Sequence, residues 1–261
     1  MIVPVWRLSR LALHTAYGVA TAALVLPWIN DERREHLIRN WSAHILHILN
    51  VRVEVDGMLP TADPRPAMFV ANHISWLDIW AINSVRVVRF VAKSEVRDWP
   101  VIGWLSDKAG VIFIERARRH DTARVSNAGA QALLDGDSLC VFPEGTTTDG
   151  THVRPFRSSL LQSAVEACAP VWPVALHYPD ENGQANIGVA YAGDTTMLQS
   201  LRAVLMQRSM TVRLTFAEPI EPEGRDRRAL AQAAESIISS LARLPVRVVP
   251  ETPAGPPAGS R

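Results

Sequence analysis

The sequence predicts an α/β domain: a mostly parallel or mixed central sheet covered by helices, with an N-terminal two-helix hairpin that associates with a membrane. Three observations lead there. Short apolar runs rich in Val, Ile and Phe alternate with segments of helical period through most of the 261 residues, the pattern of a helix-covered, largely parallel sheet. Residues 11–29 form one long apolar stretch near the N-terminus. Two clusters of chemistry-bearing residues each follow an apolar run, and open α/β sheets place ligands at the ends of such strands.

The elements follow in order. Residues 11–29 are nearly long enough to span a bilayer, which takes about 20 apolar residues, but His14, Thr15 and Thr21 interrupt them and Pro27 lies near their end. Arg7 and Arg10 precede them, as in a signal-peptide n-region. A cleaved signal, a true span and a helix lying in the interface all remain open. Asp31 is expected to cap a helix running to about Leu49, with Leu37, Ile38, Trp41, Ile45, Leu46 and Ile48 as its apolar positions. An apolar helix followed by an amphipathic one suits a membrane-dipping hairpin, with Trp6, Trp28 and Trp41 at the headgroup level; a helical pair packed on the protein's own core gives the same pattern. Strands are expected at 51–55, 67–71, 89–92, 110–115, 139–142, 171–177, 187–191 and 211–216. Helices are expected at 121–134 (capped by Asp121), 158–167, 195–207 and 225–244. The division is then 1–49 for the hairpin, 50–248 for the α/β domain and 249–261 for a Pro-, Gly- and Ala-rich tail without fixed structure.

Hydrophobic residues make up 48% of the chain and charged residues 20%, enough for a sizeable core. Net charge is +1, no signature of nucleic-acid binding. Basic clusters at Arg116, Arg118, Arg119 and His120, and at Arg225, Arg227 and Arg228, are either solvated faces or, near a site, holders of an anionic headgroup. Cys140 and Cys168 have no metal-ligand spacing and make no disulfide framework, and Cys140 sits in an apolar run as a buried, inert thiol would. No Gly-rich loop matches a nucleotide fingerprint.

The first cluster is Asn72-His73-Ile74-Ser75-Trp76-Leu77-Asp78. An imidazole with a nearby carboxylate makes a general base whose tautomer is fixed. On one ideal helix the two side chains would stand about 140° apart, since each residue turns about 100°, so they converge only if His73 lies in the loop before the helix. Ser75 to Asp78 has the form of a capping box, which supports that placement and also supplies a blander role: Asp78 as a cap, His73 as a buried polar residue. The second cluster is Phe142-Pro143-Glu144-Gly145-Thr146-Thr147-Thr148-Asp149-Gly150, which also reads as a strand followed by a polar turn. The third, Gly110-Val111-Ile112-Phe113-Ile114-Glu115-Arg116, puts an arginine just past a strand, where it grips an anion or merely faces solvent. The fourth is Val171-Trp172-Pro173-Val174, where a proline inside a strand marks an edge or a bulge.

In this order the four resemble the blocks of the glycerophospholipid acyltransferases, typified by the lysophosphatidic acid acyltransferases: Asn-His-x4-Asp, Gly-x-Ile-Phe-Ile-x-Arg, Phe-Pro-Glu-Gly-Thr and a late proline block. Lys93-Ser94-Glu95 and 99–104 match the family's style, and the resemblance covers about residues 50–220. It implies transfer of a fatty acyl group from acyl-CoA or acyl carrier protein to the free hydroxyl of a lysolipid, of the 1-acyl-sn-glycerol-3-phosphate acyltransferase type, at the cytosolic face of the inner membrane. His73 would remove the hydroxyl proton and Asp78 would steady the imidazole. Arg116, Glu144, Gly145, Thr146 and Arg157 would bind the acceptor, with backbone N–H groups near His73 receiving the oxyanion. No metal or bound cofactor is implied. One departure stands out. Many phosphate-acceptor members carry arginine after Glu-Gly-Thr, where this chain has Thr147, and a downstream lysine is replaced around Arg157-Ser158-Ser159, leaving Arg154 and Arg157 to compensate. That form resembles members that acylate other lysolipids, including lyso-ornithine lipid and lysophospholipids with substituted headgroups. Two other functions use the same residues: a thioester or lipid hydrolase, which lacks a nucleophile elbow here, and a non-catalytic lipid-binding protein.

Overall fold

The computed structural model describes residues 2–58, 66–114 and 119–247, so the tail from 248 onward and Arg116 lie outside the described residues. Its strands are β1 (Val51–Gly57), β2 (Met68–Ala71), β3 (Arg89–Lys93), β4 (Ile112–Ile114), β5 (Leu139–Val141), β6 (Val171–His177) and β7 (Met210–Phe216). They form one sheet in the order β1-β7-β6-β2-β5-β3-β4. Every pairing is parallel except β6 with β7, so the expected mostly parallel, mixed sheet is what the chain forms.

The helices are α1 (Ile2–Leu24), α2 (Asp31–Ile48), α3 (Leu77–Val85), α4 (Ile102–Lys108), α5 (Arg119–Leu134), α6 (Gln162–Glu166), α7 (Met197–Met206) and α8 (Arg227–Ala242). They cover both faces. Phe69 and Ala71 of β2 join the core shared with α2, α3 and α7, while Met68 and Val70 join the core shared with α5, α6 and α8. All four β2 residues are buried, which is why β2 reads as an unbroken apolar run and not as an alternation. In the first core Phe69 stacks on fully buried Trp172, ring centroids 5.7 Å apart.

The N-terminal pair is a hairpin whose polar interruptions are used internally. His14 Nε2 lies 3.0 Å from Trp41 O, and Trp41 Nε1 donates to His14 O at 3.2 Å, so α1 and α2 exchange reciprocal side-chain-to-backbone bonds. Gly18 admits this approach, because a Cβ there would stand 2.6 Å from Trp41 Nε1. Trp41 is therefore held between helices, edge-on to Trp80, whereas Trp6 and Trp28 are exposed. Pro4–Trp28 is long and apolar enough to cross a membrane, and most of it faces outward. Arg7, nearly buried, anchors α1 to the α/β unit: its guanidinium donates to the carbonyls of Leu205, Gln207 and Arg208 at the end of α7, the place where helix carbonyls lack partners and a cation is favoured.

Several elements differ from the sequence reading. The cap of α2 is Asn30, whose side chain accepts from Arg33 N–H, and Asp31 is the first helical residue. Helix α5 begins at Arg119, so Asp121 is within it and not its cap. Residues 187–191 form no strand: Asn186 accepts from Gly188 N–H and starts a 3-10 turn, Ile187–Val189, that buries Val189 alone. Pro173 is not on an edge strand, since β6 lies between β7 and β2. It is at a bulge: between the pair Val174–Phe216 and the bridge Val171–Ile220, Ala217, Glu218 and Pro219 face only Trp172 and Pro173. There the missing N–H breaks no ladder bond.

Arg7→Met keeps the apolar stem and removes these carbonyl contacts. Hydrogen bonds to a charged group contribute about 1.5–3 kcal/mol, so the variant is expected to lose stability in that range in detergent-phase chemical denaturation and to expose α1 to limited proteolysis. A wild-type protease pattern and midpoint would refute the anchoring role.

Candidate active site

Strand order builds the site. β6, β2 and β5 are parallel neighbours, so their carboxyl ends open side by side. The chain leaving β2 runs to β3 beyond β5, and the chain leaving β5 runs to β6 beyond β2. A crevice results where connections leave in opposite directions. Into it come the residues after β2 (Asn72 onward), after β5 (Phe142 onward) and after β6 (Tyr178).

Asn72 makes the main chain turn. Its buried side-chain amide donates to Leu176 O at 3.0 Å and accepts from Leu176 N–H at 2.8 Å, copying the ladder one step past Ala71–Val174. The backbone is thereby free to leave the sheet at His73. His73 Nδ1 then lies 2.7 Å from Asp78 Oδ2, which fixes the ring proton on Nδ1 and leaves Nε2 with its lone pair. The same Oδ2 accepts from Ile74 N–H at 2.8 Å and Ser75 N–H at 3.0 Å. Asp78, in the first turn of α3 and fully buried, thus serves the loop backbone and the imidazole together. The cap geometry is shifted from expectation. α3 starts at Leu77 with Trp76 before it, and Ser75 contributes a 3.4 Å bond to Leu77 N–H.

The Glu-Gly-Thr segment holds this loop from the other side. Glu144 Oε1 accepts from His73 N–H at 2.7 Å, Oε2 accepts from Arg154 N–H at 2.8 Å, and the carboxyl is almost completely buried. Burial outweighs both donors and raises its pKa to about 8. Gly145 turns with φ 77°, a conformation side chains rarely adopt, and its N–H donates to Phe142 O. Thr148 N–H donates to His73 O at 2.8 Å, and Tyr191 N–H to Ile74 O at 2.9 Å. Thr147, half-buried, donates its hydroxyl to Tyr191 O. Thr146 is half-buried beside Gly145, and exposed Arg157 closes the loop by donating its N–H to Pro143 O. His73, Asp78 and Glu144 are thus brought together, Gly145 and Thr146 border them, and Arg157 stands at the loop's outer end. The N–H groups of His73, Ile74 and Ser75 are all spent on carboxyl oxygens, so the oxyanion role expected of backbone near His73 does not fall to them.

The imidazole also has an apolar side. It stacks on Phe142, centroids 3.9 Å apart and planes at 12°, and Phe142 stacks on Phe90 at 5.9 Å. Phe90 lines an apolar cavity of about 520 Å³ between α1, α2, α3 and α4, with Tyr17, Ala22, Leu37, Trp80 and Leu105 among its walls. Cys140, buried in β5, has its thiol pKa pushed up by burial and by Asp78, which suits no nucleophile. Tyr178, outside every motif, donates its hydroxyl to Asp78 Oδ1 at 2.7 Å from full burial. Its part was illegible in the sequence because it depends on β6 lying beside β2. Among the described residues no cluster of His, Cys, Asp or Glu is arranged to hold a metal ion.

Glu144 gives a pH signature. Its folded pKa of about 8 stands above the model-compound value of 4.5, so between those values the unfolded chain is ionised while the folded one keeps the proton. Stability is therefore expected to fall as pH rises from about 4.5 to about 8. Glu144→Gln should flatten that slope, read as melting temperature against pH; an unchanged slope would show that Glu144 does not cause it.

Comparison with known proteins agrees with this geometry. An acyltransferase family model matches residues 51–177, from β1 to the end of β6. The chain is 36% identical to a lyso-ornithine lipid O-acyltransferase of Pseudomonas aeruginosa, over 89% of this chain and 90% of that one. It is 34% identical to a 1-acyl-sn-glycerol-3-phosphate acyltransferase of Neisseria meningitidis serogroup B, over 80% and 82%. Its fold is similar to the crystal structure of the 1-acyl-sn-glycerophosphate (LPA) acyltransferase PlsC from Thermotoga maritima, with TM-score 0.65, 22% identity and coverage of 91% and 96%. By these relationships the chain belongs to the acyltransferase family and is itself an acyltransferase.

Proposed function

We propose that this enzyme is a membrane-associated O-acyltransferase that moves a fatty acyl group from acyl-CoA or acyl carrier protein to the free hydroxyl of a lysolipid, at the cytosolic face of the inner membrane. The observation that carries the reading is the 2.7 Å contact between His73 Nδ1 and a fully buried Asp78. His73 Nε2 takes the hydroxyl proton as the alcohol oxygen attacks the thioester carbonyl. Collapse of the tetrahedral intermediate breaks the C–S bond, and the departing thiolate receives the proton from the imidazolium. Asp78 stabilises the charged ring, Glu144 and Gly145 shape the acceptor site by holding the His73 loop, and Thr146, Arg157 and Arg116 contact the acceptor. No metal enters these steps.

The hairpin of residues 1–49 supplies the membrane contact, supported by the outward apolar face of α1, and residues 50–248 do the chemistry. The apolar cavity suits an acyl chain, since its wall at Phe90 reaches His73 through the stacked Phe142.

Of the two acceptor classes named among the relatives, lyso-ornithine lipid is the better supported. A phosphate monoester calls for converging cations, but at the position where phosphate-acceptor members carry arginine this chain has Thr147, and its hydroxyl is engaged with Tyr191 O. The second reading is 1-acyl-sn-glycerol-3-phosphate, which the Neisseria relative's name supports.

Acceptor-dependent thiol release from acyl-CoA or acyl carrier protein, assayed with each lysolipid in mixed micelles, tests the reading. His73→Ala is expected to lower it by about 10²–10⁴-fold; equal turnover in variant and wild type would eliminate the assigned base, and release without acceptor would indicate a hydrolase. Ala22→Leu, which fills the cavity, is expected to shift preference toward shorter acyl donors in competition assays. An unchanged chain-length profile would move the acyl site elsewhere.

A further inference from the structure

Asp78 is bound at both oxygens, and the donors on the two differ in kind. Oδ2 takes the imidazole N–H and the two backbone N–H groups of Ile74 and Ser75. Oδ1 takes the hydroxyl of Tyr178, 2.7 Å away. Both partners are fully buried, so water does not replace that bond when it is lost. Tyr178 directly follows β6, a different part of the chain from the β2–α3 segment that carries His73 and Asp78. Its bond therefore sets the carboxylate plane relative to the sheet, while the Oδ2 bonds set it relative to the loop.

We propose that Tyr178 is a positioning residue for acyl transfer: by donating to Asp78 Oδ1 it fixes the plane of the carboxylate against His73 and takes up part of its negative charge. The proposal rests on the reading of His73 as the base. A carboxylate relieved of part of its charge holds an imidazolium less tightly. Removing the hydroxyl concentrates charge on the carboxylate, strengthens its hold on the imidazolium and moves the acid limb of the rate profile upward. The other ionisable groups facing the pair are few. Glu144 and Cys140 come from the β5 side, with Arg154 behind Glu144. Burial raises the pKa of the Glu144 carboxyl to about 8 and pushes that of the Cys140 thiol up. Tyr178 itself is raised well above its ordinary value by burial and by Asp78, so it remains a donor throughout.

The test is Tyr178→Phe, which keeps the ring and deletes the hydroxyl, in the full-length enzyme. The apparent pKa on the acid limb of kcat/KM is expected to rise by roughly 0.5–1 unit. Plateau kcat should fall roughly tenfold with KM unchanged, since Tyr178 touches no substrate. Titration of the His73 ring by 15N NMR should move in the same direction, and adding Tyr178→Phe to Asp78→Asn should cost nothing further. A lowered kcat with an unmoved acid limb and unmoved His73 titration would overturn the proposal, leaving Tyr178 a packing residue. So would a full further loss in the Asp78→Asn background. A shifted His73 titration in a protein whose turnover survives His73→Ala would overturn the assigned reaction and still support the Tyr178 coupling.

Discussion

One buried carboxylate organises this molecule. An ionised acid taken out of water is costly unless its oxygens are hydrogen-bonded, and Asp78 meets that condition with donors from a ring, two backbone amides and a phenol. Those donors belong to the loop after β2 and to the end of β6, and the acid itself to the first turn of α3. Satisfying one charge therefore fixes the exit of a strand, the start of a helix and the approach of a neighbouring strand. The catalytic geometry and the local fold share the same bonds, so a change that disturbs one disturbs the other.

The second constraint is the parallel core of the sheet. Parallel neighbours bring their carboxyl ends to one rim, which lets segments far apart in sequence meet. Asn72 illustrates how finely the rim is cut: its side chain takes the place of a peptide group in the β2–β6 ladder, so the strand is extended by an amide while the main chain turns away with His73. Across the crevice Glu144 does comparable work, joining His73 N–H to Arg154 N–H. The Glu-Gly-Thr residues, which the sequence suggests as acceptor ligands, include one whose oxygens are bound to the protein's own backbone.

What could be read from the sequence follows physical lines. Fully buried strands such as β2 and β6 announce themselves by composition, and helices with side-chain caps, such as α7 behind Thr196 and α8 behind Asp226, by their boundaries. Alternation misled at 187–191, where Val189 is buried by a turn and its neighbours are apolar but exposed or half-buried. Pro173 was half legible: proline inside a strand does mark a bulge, but the edge alternative depends on strand order, which no local pattern carries. α4 was not anticipated because it is a single short stretch whose glycine, Gly103, is required by contact: a Cβ there would lie 2.0 Å from Arg97 O. His73 and Asp78 were visible as residue types at a suggestive spacing. Their 2.7 Å contact, and Tyr178 beside it, exist only once β2 and β6 are paired.

The electrostatics of the site follow from the same burial. Three further acids interact with Asp78: Glu144, Cys140 and Tyr178. Burial pushes each of them toward its protonated form, the Glu144 carboxyl to about 8 and the thiol and phenol upward. Were Glu144 ionised as well, its charge would reach the ring through the short path of the His73 backbone and raise the cost of deprotonating it. It would also repel any anionic group brought up to the loop. What holds the proton on Glu144 is enclosure with almost no access to water, which raises its pKa to about 8 against the lowering effect of its two backbone donors.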